Sequence, residues 1–309
     1  MRAAFSRWIS EEAERDASVL LLTADLGYSV FDDYRRAHPS NFLNVGVAES
    51  LMIGLAAGAA MQGRRVFTYS IATFLVYRPI EQIRVDLCYQ QIPVCLVGAG
   101  GGLSYADAGA THHATEDLAV MSALPGMTVL APGDPLEAEA LLDQVRELNG
   151  PSYLRLGRGK DKMVHERKPP LQIGHPIKIV DGADVSILAI GNMLPSAMEA
   201  SRKLKQAGVS AGVTSFHTLK PFSEEYVLRE ARSVGRIVTL EEHVPQGGLF
   251  SWCAQTISRS RANTRLFGLS LPDAYVHQSG NQDYLRRCAG LDVDSICQKI
   301  LMLLSESRL

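Results

Sequence analysis

Short β-branched apolar runs alternate with amphipathic segments along this chain, and they do so twice, on either side of a stretch with neither period. Runs at residues 19–23, 42–45, 65–69, 93–97, 127–130 and 153–156 are nearly continuous in apolar character, as strands covered on both faces must be. Between them, residues 3–15, 49–62, 73–90, 115–123 and 135–149 carry apolar side chains at helical spacing, and Asp134-Pro135 supplies a cap followed by a proline at the first helical position. Strands separated by helices can pair side by side only in parallel, because each helix carries the chain back to the start of the next strand.

Residues 161–177 break this rhythm with Lys, Arg, Pro and His and no periodicity, the composition of a linker. The alternation then resumes, with strands expected at 185–190, 211–216, 236–241 and 264–268 and helices at 195–207, 223–231, 249–257 and 292–304. The expected fold class is therefore α/β with two domains, 1–160 and 178–309, each a mainly parallel sheet with helices on both faces. A chain of 309 residues, 46% apolar and 21% charged, has enough material for two cores.

Composition narrows the function. A net charge of -2 gives no electrostatic basis for a nucleic-acid or anionic-membrane partner. The longest apolar stretches, such as 52–61, fall short of the ~20 residues a membrane span needs, and the N-terminus lacks a signal-peptide core. A cytoplasmic location is expected. Five scattered cysteines, Cys88, Cys95, Cys253, Cys288 and Cys297, form no CxxC pair, so they read as reduced core residues rather than as a disulfide framework or zinc site.

Chemistry-bearing residues concentrate in a few places. Asn44-Val-Gly-Val-Ala-Glu49 is a strand-like run whose carboxylate opens a helix of small residues; the helix dipole alone favours an acid there. Gly98-Ala-Gly-Gly-Gly102 follows a strand, but Leu103 stands where a dinucleotide fingerprint needs its last glycine. Gly157-Arg-Gly-Lys160 is followed by Asp161 and is not a Walker loop, and Gly247-Gly248 reads as a tight turn before a helix. His112 and His113 have no third ligand at a sensible spacing, so no metal site is expected. His217, His243 and His277 read as packing or interface residues.

Taken in order, Asn44 to Glu49, Thr73-Phe-Leu75, Asp107-Ala-Gly-Ala-Thr-His112, Leu156-Gly-Arg158-Gly and Glu241-Glu-His-Val-Pro-Gln-Gly-Gly248 resemble successive motifs of the transketolase family. The match spans nearly the whole chain but only the back half of a transketolase, its pyrimidine-binding and C-terminal domains. 1-Deoxyxylulose-5-phosphate synthase and the β subunits of 2-oxo acid dehydrogenases are similar.

The resemblance implies thiamine diphosphate as cofactor and roles for individual residues. Glu49 matches the glutamate that hydrogen-bonds the aminopyrimidine ring and promotes the imino tautomer that activates the cofactor, a task an amide could not perform. Phe74 matches the aromatic that stacks on that ring, with Tyr69 and Tyr77 as further cofactor contacts. His112 matches the histidine beside the reacting carbon, able to donate to the substrate oxygen or shuttle a proton, with His113 as its neighbour. Asp107 resembles an acid that contacts a substrate hydroxyl, although one extra residue separates it from Gly109. Arg158 matches an arginine that grips a substrate phosphate, and Arg78 resembles a polar substrate contact of the synthase branch. Arg2 and Arg36 are additional cations, Arg36 reading as a surface charge.

Two departures from the family pattern matter. No Gly-Asp-Gly motif with a downstream Asn is present; in the family that element holds Mg²⁺ and the diphosphate on an N-terminal domain. The implied assembly is a split enzyme, α2β2, in which Mg²⁺ is bound by the partner chain. The Gly98 to Gly102 run replaces a cationic phosphate contact, so the expected acceptor lacks a phosphate at that subsite or carries it elsewhere. The leading expectation is two-carbon ketol transfer from a ketose to an aldose through a thiamine diphosphate adduct. The alternatives are a subunit of a 2-oxo acid decarboxylating, carboligating or deoxyxylulose-phosphate-synthase-like enzyme, and a non-catalytic assembly subunit.

Overall fold

The computed structural model describes residues 1–159 and 161–305. Lys160, which ends both the expected first domain and the Gly157-to-Lys160 run, lies outside the described residues, as do residues 306–309 of the expected second domain.

The strands are β1 (Val19–Thr23), β2 (Phe42–Asn44), β3 (Arg65–Ile71), β4 (Val94–Ala99), β5 (Thr128–Leu130), β6 (Ser152–Leu156), β7 (Ile177–Val180), β8 (Val185–Ala189), β9 (Ala211–Ser215), β10 (Thr218–Lys220), β11 (Arg236–Leu240) and β12 (Arg265–Leu269). They form a seven-stranded sheet in the order β10-β5-β6-β4-β3-β1-β2 and a five-stranded sheet in the order β12-β11-β8-β9-β7. All pairings are parallel except β10 on β5 and β7 on β9. The helices are α1 (Arg2–Arg15), α2 (Asp32–Ala37), α3 (Glu49–Met61), α4 (Ala72–Tyr77), the one-turn α5 (Ile80–Gln82), α6 (Asp117–Ala123), α7 (Pro135–Val145), α8 (Leu194–Gln206), α9 (Glu224–Ser233), α10 (Leu249–Ser258), α11 (Gln282–Cys288) and α12 (Val293–Ser305).

Strand alternation divides the core. Along β3, Phe67 and Tyr69 join Phe5, Trp8 and Ile9 of α1 and Leu141 and Leu142 of α7 on one face of the large sheet. Val66 on the opposite face joins Met52 and Ile53 of α3 and Leu75 of α4, and the same cluster continues into Phe216, Tyr226 and Leu249. A third cluster, with Ile187, Val213 and Val238 against Leu204, Ile296 and Ile300, fills the far face of the small sheet.

The two sheets are more closely joined than a linker between independent domains suggests. β10, from the second half of the chain, completes the large sheet by pairing Thr218 with Leu130. Within the expected linker, the amides of Val164 and His165 donate to Asp134 Oδ2, each at 2.9 Å, and His165 Nε2 lies 2.9 Å from Glu137 Oε1. Asp134 meanwhile caps α7 through Glu137 N at 2.8 Å, as its position before Pro135 predicts.

Other differences have local causes. The expected helix at 73–90 is interrupted by Pro79, which cannot donate to the preceding turn, and it continues as α5 and a π-helical stretch, Ile83–Tyr89. The edge strands β7 and β10 pair antiparallel and fall outside the strand–helix alternation that marks the others. Among the cysteines, Cys88, Cys95 and Cys253 are buried and Cys297 is partly so, but Cys288, at the end of α11, is exposed and is not a core residue.

Candidate active site

The candidate site lies beyond the C-terminal ends of β2, β3, β4 and β6, where parallel α/β sheets bind their ligands. Asn44 closes β2 with a local turn: its Oδ1 accepts from Gly46 N at 3.0 Å and from Asp25 N at 2.8 Å. Gly46 sits at φ +74°, a conformation a side chain would strain, and the chain then enters α3 with Glu49 as its first residue. Glu49 is 3% exposed. Ser70 Oγ, on the α3-facing side of β3, lies 3.4 Å from Oε1, and Arg78 Nη1 donates to both carboxylate oxygens at 2.9 and 2.8 Å.

Phe74 on α4 completes this corner. The Arg78 guanidinium carbon lies 3.9 Å from the centre of the Phe74 ring, and the His112 ring is 5.1 Å from Phe74 in an edge-on arrangement. Glu49, Phe74, Arg78 and His112, spread over 64 positions of sequence, therefore meet in one place.

His112 ends a 3-10 turn, Ala110–His112, and its Nδ1 lies 2.9 Å from Thr111 Oγ1. Asp107 and Arg158 pair directly, and Arg158 also lies over the Tyr105 ring at 4.6 Å. The Arg158 hydrogen bond holds the Asp107 carboxyl below the usual carboxylate range. His113 turns inward: it is 5% exposed, Nε2 is 3.4 Å from Ala106 O, and Nδ1 has no partner among the described residues. Burial pushes its pKa down, and the ring packs inward where His112 is half-exposed. The Tyr77 hydroxyl donates to Glu116 Oε2 at 2.9 Å; burial, then the charges of Asp117 and Glu116, push its pKa up.

Tyr69 faces away from this corner. Ser70 reaches Glu49, so its neighbour on the strand must face the other way; Tyr69 is 2% exposed and packs on Phe5 and Phe31. Arg36 is exposed and pairs with Asp33. Arg2 lies beside Tyr69 and the backbone of Gly159.

The glycine run has a packing cause. A Cβ on Gly100 would stand 2.1 Å from the Tyr105 ring, on Gly101 2.5 Å from Arg155 and on Gly102 2.3 Å from Glu242. Arg155 and Glu242 belong to a buried polar network that sequence reasoning missed. Arg155 Nε and the Tyr153 hydroxyl donate to Asp117 Oδ2 at 2.9 and 2.6 Å, and Arg155 Nη2 donates to Ala114 O at 2.7 Å and Glu242 O at 3.1 Å. The Glu242 carboxylate accepts from Leu103 N, Asn192, Gln282 and Arg286. Through Ala114 this network anchors the segment that carries His112. The available clue was a cation inside a run otherwise fit for burial, since a buried charge must be paired. Gly247 and Gly248 likewise serve a cap: the buried Glu241 carboxylate accepts from the first amides of α10, Leu249 N at 2.7 Å and Phe250 N at 2.8 Å. His217 and His243 are fully buried and hydrogen-bonded; His277 is exposed.

One further feature was legible and overlooked. α3 is apolar on every side, which marks a helix destined for burial all round, yet Leu51, Leu55 and Met61 are exposed and a Cβ on Gly54 or Gly58 would meet nothing within 4 Å.

Residues 1–162 match the family described as transketolase, pyrimidine binding domain, and residues 174–296 the family described as transketolase, C-terminal domain. The chain belongs to the transketolase family. Among transketolase relatives it is 33% identical over 302 residues to an apulose-4-phosphate transketolase subunit of Phocaeicola vulgatus, covering 97% of this chain and 96% of that protein. It is also 33% identical to the 6-deoxy-6-sulfo-D-fructose transketolase subunit SqwH of a Clostridium species, covering 96% and 92% of the two chains. The 1-deoxy-D-xylulose-5-phosphate synthase of Desulforudis audaxviator is 32% identical, but only 46% of its length is matched. A split-gene transketolase solved as an inactive β4 tetramer superposes with a TM-score of 0.88 at 31% identity over 98% of this chain and 97% of that one. The transketolase half represented here is thus the C-terminal one, and no helix among the described residues is long and apolar enough to cross a membrane.

Proposed function

We propose that this chain is the C-terminal subunit of a split transketolase that moves a two-carbon ketol unit from a ketose to an aldose, with thiamine diphosphate and Mg²⁺, only when joined to an N-terminal partner chain. The observation that carries this reading is the corner formed by Glu49 and Phe74. A buried carboxylate beside an aromatic face suits a planar ring with a hydrogen-bond donor at its edge, and the Arg78 guanidinium, itself planar and a donor, already satisfies both surfaces. The residues therefore fit the aminopyrimidine end of the cofactor.

When bound, thiamine diphosphate supplies the carbon nucleophile that accepts the two-carbon unit. Glu49 holds the proton at the ring nitrogen, and its burial strengthens that hydrogen bond. Phe74 orients the ring. His112, half-exposed beside Phe74, donates to the substrate oxygen where charge develops and exchanges a proton with its hydroxyl. Tyr77 lines the same side through Glu116. Asp107 and Arg158, paired and exposed, offer an acceptor for a sugar hydroxyl and a fork for a phosphate or sulfonate. The Arg155 guanidinium beside Gly101 is buried and taken up by Asp117, Ala114 and Glu242, in keeping with an acceptor that lacks a phosphate at that subsite or carries it elsewhere.

The Mg²⁺ and diphosphate contacts belong to the partner, in an α2β2 assembly formed in the cytoplasm. The exposed apolar stripe Leu51, Gly54, Leu55, Gly58 and Met61 supports docking of that partner on α3, directly beside Glu49. The domain limits of the reading are 1–160 and 178–309, with 161–177 as connection. Mixing this chain with an N-terminal transketolase subunit, thiamine diphosphate and Mg²⁺, then following ketose consumption against phosphorylated and unphosphorylated aldoses, tests the proposal. Turnover by this chain without a partner would reject the split-site reading, and CO₂ release from a 2-oxo acid in place of ketol transfer would reassign the reaction.

A further inference from the structure

Arg78 makes contacts beyond the substrate contact that the resemblance implies for it. One nitrogen of its guanidinium bonds both oxygens of Glu49, while the guanidinium carbon sits 3.9 Å over the Phe74 ring. These are the two surfaces that the proposed function assigns to the cofactor ring, and one face of Phe74 cannot be covered by both groups at once. We propose that Arg78 is an internal stand-in for the aminopyrimidine: it occupies the slot until thiamine diphosphate displaces it, and its release couples cofactor binding to the appearance of a free guanidinium at the substrate mouth. The inference rests on the cofactor reading above.

Three observations support an exchangeable rather than a permanent pair. Glu49 is closed off from solvent, so a buried carboxylate needs a donor whenever the ring is not there. The Arg78 side chain is 43% exposed, so it gives up little packing on leaving and its charge regains water. Its backbone is held independently, by Ser50 Oγ donating to Arg78 O at 3.3 Å and by Arg78 N donating to Phe74 O at 3.3 Å, so the side chain can swing without unwinding α4. Arginine suits the part because its planar fork both stacks and donates, which lysine cannot reproduce.

A competitor inside the site weakens apparent cofactor affinity by the fraction of chains left open; an inward population of about 90% costs about tenfold. The test is calorimetric titration of thiamine diphosphate, with Mg²⁺, into the assembled complex carrying wild-type chain, Arg78→Gln or Arg78→Lys. The expected result is tighter binding on the order of tenfold for Arg78→Gln, an intermediate gain for Arg78→Lys, and faster association for both. Unchanged or weaker binding in both variants would overturn the stand-in role while leaving the cofactor reading intact. A wild-type complex that binds no thiamine diphosphate would overturn both. A double-mutant cycle of Glu49→Gln with Arg78→Gln, read by urea denaturation of this chain, guards against poor folding of a single variant: coupling is expected without cofactor, and its absence counts against the proposal.

Discussion

Two arginine–carboxylate pairs in this molecule use the same chemistry to opposite ends. Arg155 and Asp117 are both essentially inaccessible, with side chains 3% and 0% exposed, and they sit where the two sheets meet, bound also to Tyr153, Ala114 and Glu242. Arg78 and Glu49 sit at the mouth of the candidate site, the carboxylate buried but the guanidinium open. Depth decides the outcome. A cation surrounded by protein has no alternative partner, whereas one at the rim can trade its carboxylate for water or yield it to a ligand.

Removing the arginine from each pair should expose this difference. Arg155→Leu is expected to cost about 3–5 kcal/mol in urea denaturation, since it leaves the Asp117 charge buried without compensation. Asp117 Oδ1 already lacks a partner among the described residues, and the Tyr153 hydroxyl on Oδ2 is a neutral donor that does not replace the lost countercharge. Glu49→Gln should lower turnover of the assembled enzyme by on the order of 10²–10⁴ while circular dichroism and denaturation midpoint stay near wild type; retained turnover would remove Glu49 from proton handling. Arg78→Ala should cost less, about 1–3 kcal/mol, because Glu49 stays buried but the open rim lets water reach the place the guanidinium leaves, and a loss as large as that of Arg155 would show that the rim pair is structural after all.

The smallest effect is expected at a third tie, His165 with Glu137. The Glu137 hydrogen bond raises the His165 pKa above its ordinary value of 6.5, so the contribution is complete below about pH 6.5 and fades as pH rises through the raised folded value. Denaturation midpoints of His165→Gln and wild type should therefore differ at pH 6 and converge at high pH, by no more than about 1 kcal/mol. A gap that widens with pH would reverse the assignment.

Much of the fold was legible because long parallel strands and amphipathic helices write their period into the chain. All six expected strands of the first half and all four of the second correspond to strands found, within a residue or two of their limits. The edge strands β7 and β10 were not, nor was the exchange of β10 into the large sheet, since both pair antiparallel outside the strand–helix alternation and their pairing is set by distant partners. Motif order brought Glu49, Phe74, His112 and Arg158 to attention, and the structure places the first three side by side. Tyr69 packs on Phe5 and Phe31, on the other side of the sheet from Ser70, because neighbours on a strand face opposite ways. His112 and His113 differ in burial because adjacent loop residues can turn to opposite sides, which a motif does not record.

By itself the sequence determined the α/β class, the two-part plan, the family and the carboxylate at the head of α3, all properties carried by local period or by residues a few positions apart. Tertiary structure alone decided that Arg78 rests on Glu49 and Phe74, that the glycines of residues 98–102 yield room to Tyr105, Arg155 and Glu242, and that the second half of the chain finishes the first sheet. Periodicity reports which face of an element is apolar. Which polar groups end up within hydrogen-bonding reach of one another depends on how elements far apart in sequence pack, and no local pattern records that.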